Sequence, residues 1–278
     1  MEDNPMDTQK PSKLFDLADQ DYRRAPGVSK SSLDWFARSP AHYKHVIIDG
    51  NRPAPTAAML TGSAFDCLLL TPELFALTYA VAPEMRRGTK AWDEFEAAHG
   101  GKTIIKQGEF DQLKNMVEAV MSHRTASTLL SNGQSQVSYF WHDAPSGLAC
   151  KGRADYVRSD GILVDVKTTQ DASPRGFASS CASFRYFVQA AMYLEGEAQA
   201  TGKATDQFCF VAVEKEAPHA VAVYTLDHAA LALGFESYRR ELMRLAHCLV
   251  ENHWPSYADG VSTLQLPKWA FGGSDVAI

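Results

Sequence analysis

The sequence predicts an α/β domain in which a mixed sheet is flanked by helices and preceded by a helical N-terminal part. Three observations carry this prediction. Up to about residue 122 the apolar residues recur at helical spacing; from Gln136 to Thr169 short alternating runs are broken by turn residues; beyond that, two long helical stretches bracket two more strands. No internal repeat or low-complexity block interrupts the 278 residues, so a single domain is expected over residues 21–278. Residues 1–20, with Pro5 and Pro11 among charges and no apolar period, are expected to fray.

The elements follow in order. "PGVSKSSLDWFARSP" reads as a helix capped by Ser29 or Ser31, carrying Leu33, Trp35 and Phe36 and ended by Pro40. "AHYKHVII" is a second short helix. After the linker "DGNRPAPT", "AAMLTGSAFDCLLLTPELF" is a long apolar helical stretch stopped near Pro72. Residues 83–105 combine a basic cluster, a short helix and a double-glycine break, and "GEFDQLKNMVEAVMSH" then aligns Leu113, Met116, Val117 and Val120 on one helical face. "QVSYFWHD" and "GLACKGRADYV", joined by a turn at Pro145, Ser146 and Gly147, form a hairpin, and "ILVDVKTT" extends the sheet. A helix over about 185–199, the strands "DQFCFVAVEKE" and "HAVAVYTL", and a long helix capped by Asp227 complete the order, ahead of the irregular tail "WPSYADGVSTLQLPKWAFGG".

Composition narrows the function classes. A 45% hydrophobic content can fill a sizeable core, no run is long enough to cross a bilayer, and the acidic, polar N-terminus lacks the form of a secretory signal. A cytoplasmic protein without membrane association is expected. Five scattered cysteines with no Cys-x-x-Cys pair argue for reduced thiols and against an iron-sulfur cluster. The formal charge of −6 runs against a simple nucleic-acid binder, but a site that gathers carboxylates to hold cations adds negative charge that bound metal offsets.

Four places set polar groups in apolar surroundings: Asp66 in "LTGSAFDCLLL", Asp155 in "CKGRADYV", Asp165 with Lys167 in "GILVDVKTTQ", and Gln189 with Tyr193 in "VQAAMYL". Alone, each has a plain structural explanation as a cap, a snorkelling lysine or a backbone-satisfying amide. Together they suggest more. On a strand, Asp165 and Lys167 share one face while Val164 and Val166 share the other. Adjacent strands would bring Asp155 beside Asp165, and two close carboxylates repel unless they are protonated or bridged by a cation. Hard oxygen donors suit magnesium or manganese, and a lysine beside such an ion can orient or deprotonate water.

"GRADYV", a short turn and "LVDVKTT" resemble the core of the PD-(D/E)xK nuclease superfamily, and "QAAMYL" resembles the Gln-x-x-x-Tyr helix of its RecB-like branch. The likeness extends to the RecE (exonuclease VIII) nuclease family. "YRRAPGVSKSSLDWFARSPAHY", "LTGSAFDCLLLTPELF", "RRGTKAWDEFEAAHGGKTII", "RYFVQAAMYL" and "WPSYADGVSTLQLPKWA" resemble that family's segments in its order, from about Asp21 to Ala270. The resemblance implies a magnesium-dependent 5′-to-3′ exonuclease on linear double-stranded DNA. Asp155, Asp165 and the Val166 carbonyl would hold metal, Lys167 would position the attacking water, and Gln189 and Tyr193 would support the site or the scissile strand. It further implies a homo-oligomeric ring and a RecT-type single-strand annealing partner.

Two positions depart from the family's pattern. Asp66, four residues after Gly62, stands where the family usually has His; it lies on the same helical face and remains a hard ligand, though shorter. Gln136 stands where relatives tend to have Glu, replacing a carboxylate by a neutral oxygen. "RAD" in place of "RPD" is a milder change. Candidate phosphate contacts are Lys30 at a helix start, Arg86, Arg87 and Lys90 in a glycine-containing loop, and Arg153. Capping and a solvated loop explain the same residues without DNA. The rival readings are an endonuclease or single-strand exonuclease on the same core, a noncatalytic DNA-binding subunit, and a structural polar network.

Overall fold

The structure, a computed structural model, describes residues 10–266; the tail beyond residue 266, including Trp269 of the resemblance, lies outside the described residues. The chain opens with β1 (Ser12–Leu14) and α1 (Asp19–Arg24). α2 (Lys30–Arg38) starts where Ser29 and Ser32 exchange side-chain and backbone hydrogen bonds, so Ser29 rather than Ser31 is the cap. α3 (Pro40–Tyr43) runs into a π-helical turn over Lys44–Ile48. α4 (Ala57–Leu70) is capped by Thr56 and stops ahead of Pro72, which begins α5 (Pro72–Thr78), because proline fits a first turn and not a helix interior. β2 (Tyr79–Ala82), α6 (Lys90–Ala98), β3 (Thr103–Lys106), α7 (Gln107–Ser122) and α8 (Arg124–Leu129) follow. Leu113, Met116 and Val120 of α7 are buried as its periodicity predicts.

The expected strands then arrive: β4 (Gly133–Asp143) and β5 (Leu148–Arg158) as a hairpin, and β6 (Leu163–Thr169). α9 (Pro174–Ser183) and α10 (Tyr186–Thr201) carry the chain over the sheet to β7 (Phe208–Glu214), which lies parallel to β6. β8 (Val221–Tyr224) turns back, and Asp227 caps α11 (His228–Glu251) by accepting from the Ala230 N–H at 2.7 Å.

The main sheet has the order β1-β4-β5-β6-β7-β8 and is antiparallel except at β6–β7. Both faces are covered. On one, α2, α10 and α11 pack Phe36, Val188, Tyr238 and Leu242 against Tyr139, Trp141 and Phe210; on the other, Phe65 of α4 and Met116 of α7 pack against Val164, Val166 and Val211. Gly152 permits the close approach of α10 to β5, since a Cβ there would lie 3.0 Å from the Tyr193 ring. Among the described residues no helix is long and apolar enough to cross a membrane.

Five elements differ from expectation. Residues 12–14 are an edge strand on β4, with Ser12 opposite Phe140, and Asp19 opens a helix, so order begins before residue 21. The Lys13 ammonium reaches Glu197, which anchors this strand through a partner far along the chain. β2 and β3 form a parallel two-stranded ribbon around α6, and α9 occupies a serine-rich stretch with little periodicity.

Candidate active site

The site lies where β5 and β6 part. These strands pair only at Tyr156–Val164 and Val157–Leu163; one step further, Asp155 falls opposite Asp165, and from there β6 follows β7 to Thr169. Asp155 Oδ2 accepts from the Val166 N–H at 2.8 Å, taking a bond the diverging strand cannot make. Each strand therefore contributes one carboxylate to the fork.

The alternation of β6 separates its two faces as predicted. Val164 and Val166 enter the core beneath α4 and α7, while Asp165 and Lys167 turn towards α10. Asp165 is wholly buried, its Oδ1 accepting from Gln189 Nε2 at 2.5 Å and its Oδ2 paired with Lys167 Nζ. The Lys167 ammonium also sits 4.9 Å from the centre of the Tyr186 ring. Burial pulls its pKa down, but Asp165 and Asp155 outweigh that, so the net shift is upward and the lysine is charged at neutral pH.

Asp66 of α4 and Asp155 face a cleft of about 650 Å³ shared with Gln136, Arg153, Asp19 and Glu73. Burial first, and then the Asp165 charge, push the Asp66 carboxyl up to about 7 against the opposing pull of Lys167. Asp155 is raised well above the usual carboxylate range by burial and by Asp165 and Asp66. Gln136 lies directly across the hairpin from Asp155, between the pairs Ser135–Tyr156 and Val137–Ala154, with φ at 53°. That left-handed backbone interrupts the ladder and turns Gln136 into the cleft.

Asp66 and Asp155, both raised by burial and by the Asp165 charge, form with Asp165 a donor set suited to a hard divalent cation. Among the described residues, however, no three His, Cys, Asp or Glu side chains are gathered closely enough to enclose an ion. Lys167 holds Asp165 Oδ2, and the Val166 N–H holds Asp155 Oδ2. The residues suit a metal by the chemistry of their oxygens, with Lys167 as the internal cation, and would have to draw closer together to enclose one.

Of the other expected site residues, Tyr193 and Arg153 border the site, whereas Arg86, Arg87 and Lys90 lie on an exposed stretch. Tyr193, one turn beyond Gln189, packs its ring on Gly152, and burial raises its pKa. Arg153 is buried: its Nε donates to Ser138 Oγ at 2.9 Å, its Nη2 donates to the Leu17 carbonyl at 2.8 Å, and its guanidinium lies 4.3 Å from the Tyr22 ring centre. It ties the N-terminal segment down, in place of the free phosphate contact expected. Lys30 donates to the Phe184 carbonyl at 2.6 Å and pairs with Asp34 at 2.7 Å, and burial lowers its pKa. Arg87 lies over Trp92 and Lys90 pairs with Glu94 at 3.4 Å; these two and Arg86 are exposed, on the loop before α6 and at its start. Sequence reasoning passed over Tyr186, although its spacing to Gln189 and Tyr193 sets all three on one helical face.

A crystal structure described as a "Putative exonuclease" from Eubacterium rectale shares this fold, with a TM-score of 0.59 at 16% identity over 94% of this chain and 99% of that one. The structure of SSO0001 aligns at 16% identity over 58% of this chain and 69% of that one with a TM-score of 0.29, too low to carry an argument. Comparison with curated proteins finds no match. Residues 29–267 match the family described as "PDDEXK-like domain of unknown function (DUF3799)", a span that runs from the cap of α2 past every residue of the fork. The PD-(D/E)xK reading of the chain thus holds, and the chain belongs to this PDDEXK-like family.

Proposed function

We propose that the protein is a metal-dependent exodeoxyribonuclease that degrades one strand of linear double-stranded DNA from its 5′ end, releasing 5′-mononucleotides and leaving a 3′ overhang. The observation that carries this is the fork at which Asp155 and Asp165 meet, with Lys167 and Gln189 on the buried carboxylate. The family match supports the nuclease core, and the 5′-to-3′ direction rests on the RecE-like resemblance.

Asp66, Asp155, Asp165 and the Val166 carbonyl would hold magnesium or manganese, and the ion would supply positive charge against the scissile phosphate and the departing 3′ oxygen. Gln189 fixes the carboxylate plane of Asp165. Lys167 Nζ, kept protonated by its acidic neighbours, orients the attacking water as a donor and does not take its proton. Ring assembly around DNA and a RecT-type annealing partner belong to the same proposal.

Gln136 and Asp66, together with the hold of Lys167 on Asp165, favour one rival: a DNA-binding subunit without catalysis. End-labelled linear duplex titrated with magnesium and manganese, beside closed circular DNA, separates the readings. Nucleotide release from linear DNA alone is expected. Nicking of the circle would identify an endonuclease, and binding without cleavage at every metal concentration would overturn the enzyme reading.

A further inference from the structure

The geometry points to Tyr186 as the positioning residue for Lys167, seated by a clamp from α2 and α11; its role in turnover rests on the nuclease reading above. The Lys167 ammonium sits on Asp165 on one side and lies 4.9 Å from the Tyr186 ring centre on another. A lysine has four flexible side-chain torsions, so one ion pair leaves its nitrogen free to swing. An aromatic face adds a second, direction-dependent hold that is stronger where water is scarce.

The ring is itself fixed. Phe177 and Phe210 pack against it at 6.1 and 6.0 Å between centroids, and Phe184 stacks at 5.7 Å. Arg185, immediately before it, has φ at 55° and ψ at 42°, a left-handed conformation that a non-glycine residue adopts only at a cost. The surroundings enforce that bend: Arg185 donates to Asp34 of α2 at 3.0 Å and to Glu241 of α11, and Lys30 holds the preceding Phe184 carbonyl. Lys30 Nζ lies 5.8 Å from the same Tyr186 ring centre. The strained residue, its two ion pairs and the ring aim one side chain of α10 at the nitrogen of Lys167, three residues before Gln189 meets Asp165 on the same helical face.

The test replaces Tyr186 with phenylalanine, with a series of increasingly ring-fluorinated phenylalanines, and with leucine. Fluorination drains the π face while nearly preserving shape, so a merely structural role predicts a flat series. On end-labelled linear duplex in magnesium, Tyr186→Phe should stay within about twofold of the wild type. kcat should fall stepwise with fluorination, to about tenfold lower in Tyr186→Leu, with KM unchanged. In the metal-free protein, ring-current-shifted NMR signals of the Lys167 ε-methylene should persist in Tyr186→Phe and relax in Tyr186→Leu. A flat fluorination series in an active enzyme, or unshifted Lys167 signals in the wild type, overturns the inference. Should Tyr186→Leu fail to fold, the fluorinated series decides alone. A wild type that never cleaves DNA overturns the nuclease reading, and the metal-free spectra still decide whether Tyr186 holds Lys167.

Discussion

Gln189 Nε2 donates to Asp165 Oδ1 at 2.5 Å, at a carboxylate that solvent does not reach. A buried acceptor that loses its donor retains the whole cost of desolvation, about 1–3 kcal/mol and more for a charged group. Gln189→Ala is therefore expected to lower the unfolding free energy by about 2 kcal/mol and to slow cleavage of linear duplex by at least about tenfold, because the carboxylate plane is no longer fixed. Gln189→Glu should be worse, setting a second carboxyl against Asp165. Urea denaturation and initial rates on the same preparations check both; a Gln189→Glu variant as stable as Gln189→Ala would count against this account.

Lys167 is an internal counterion to the buried Asp165. Removing one member of a buried ion pair strands the other, which typically costs about 3–5 kcal/mol. Lys167→Met should abolish cleavage and also destabilise the fold, and adding Asp165→Asn in the same chain should recover much of that stability with no activity. A double-mutant cycle by chemical denaturation reads the coupling. Equal stability of Lys167→Met and the wild type would show that the pair is not held as the structure places it.

Much of this was legible in the sequence because its cause is local. The β4–β5 hairpin follows from alternation around Pro145-Ser146-Gly147, α11 from its Asp227 cap, and the fork from two acids lodged in apolar strands. What escaped depends on distant partners. β1 is a strand because β4 offers an edge and Glu197 an ion pair, and nothing within Ser12-Lys13-Leu14 announces either. Lys30 and Arg153 read as phosphate ligands because their sequence neighbours cannot reveal that the Phe184 and Leu17 carbonyls accept their hydrogen bonds. Arg185 and Glu241 are 56 residues apart, and only folding makes them a clamp.

Stability should depend on pH in an unusual direction for carboxylates. Asp66 is raised from 3.8 to about 7, and Asp155 is raised as well. Between those limits the folded chain binds more protons than the unfolded one, so the unfolding free energy falls as pH rises from about 4 to about 7. The metal-free protein should thus lose stability across that window, and Asp66→Asn should lose less. Magnesium held there as proposed would stabilise the ionised carboxylates and flatten the slope. Thermal melts from pH 4 to 8 with chelator or with magnesium measure it, and a metal-free protein that grows more stable towards pH 7 would contradict the sign.

Gln136 gives the sharpest test of whether the cleft binds a cation, since it stands across the hairpin from Asp155 with its backbone already turned into the left-handed region. Gln136→Glu changes charge with almost no change in volume. A fourth carboxylate beside Asp66, Asp155 and Asp165 increases the repulsion when no ion is bound and the attraction when one is. The variant should therefore melt several degrees lower than the wild type in chelator and regain the difference in magnesium, and the magnesium concentration for half-maximal cleavage should fall several-fold. Lowering the pH towards 5 should erase the gap in chelator, because protonation removes the added charge. If Gln136→Glu instead leaves both the metal-free melting temperature and the magnesium dependence unchanged, the side chain at 136 does not face the ion, and Asp66 is left to complete the site with the two acids of the fork.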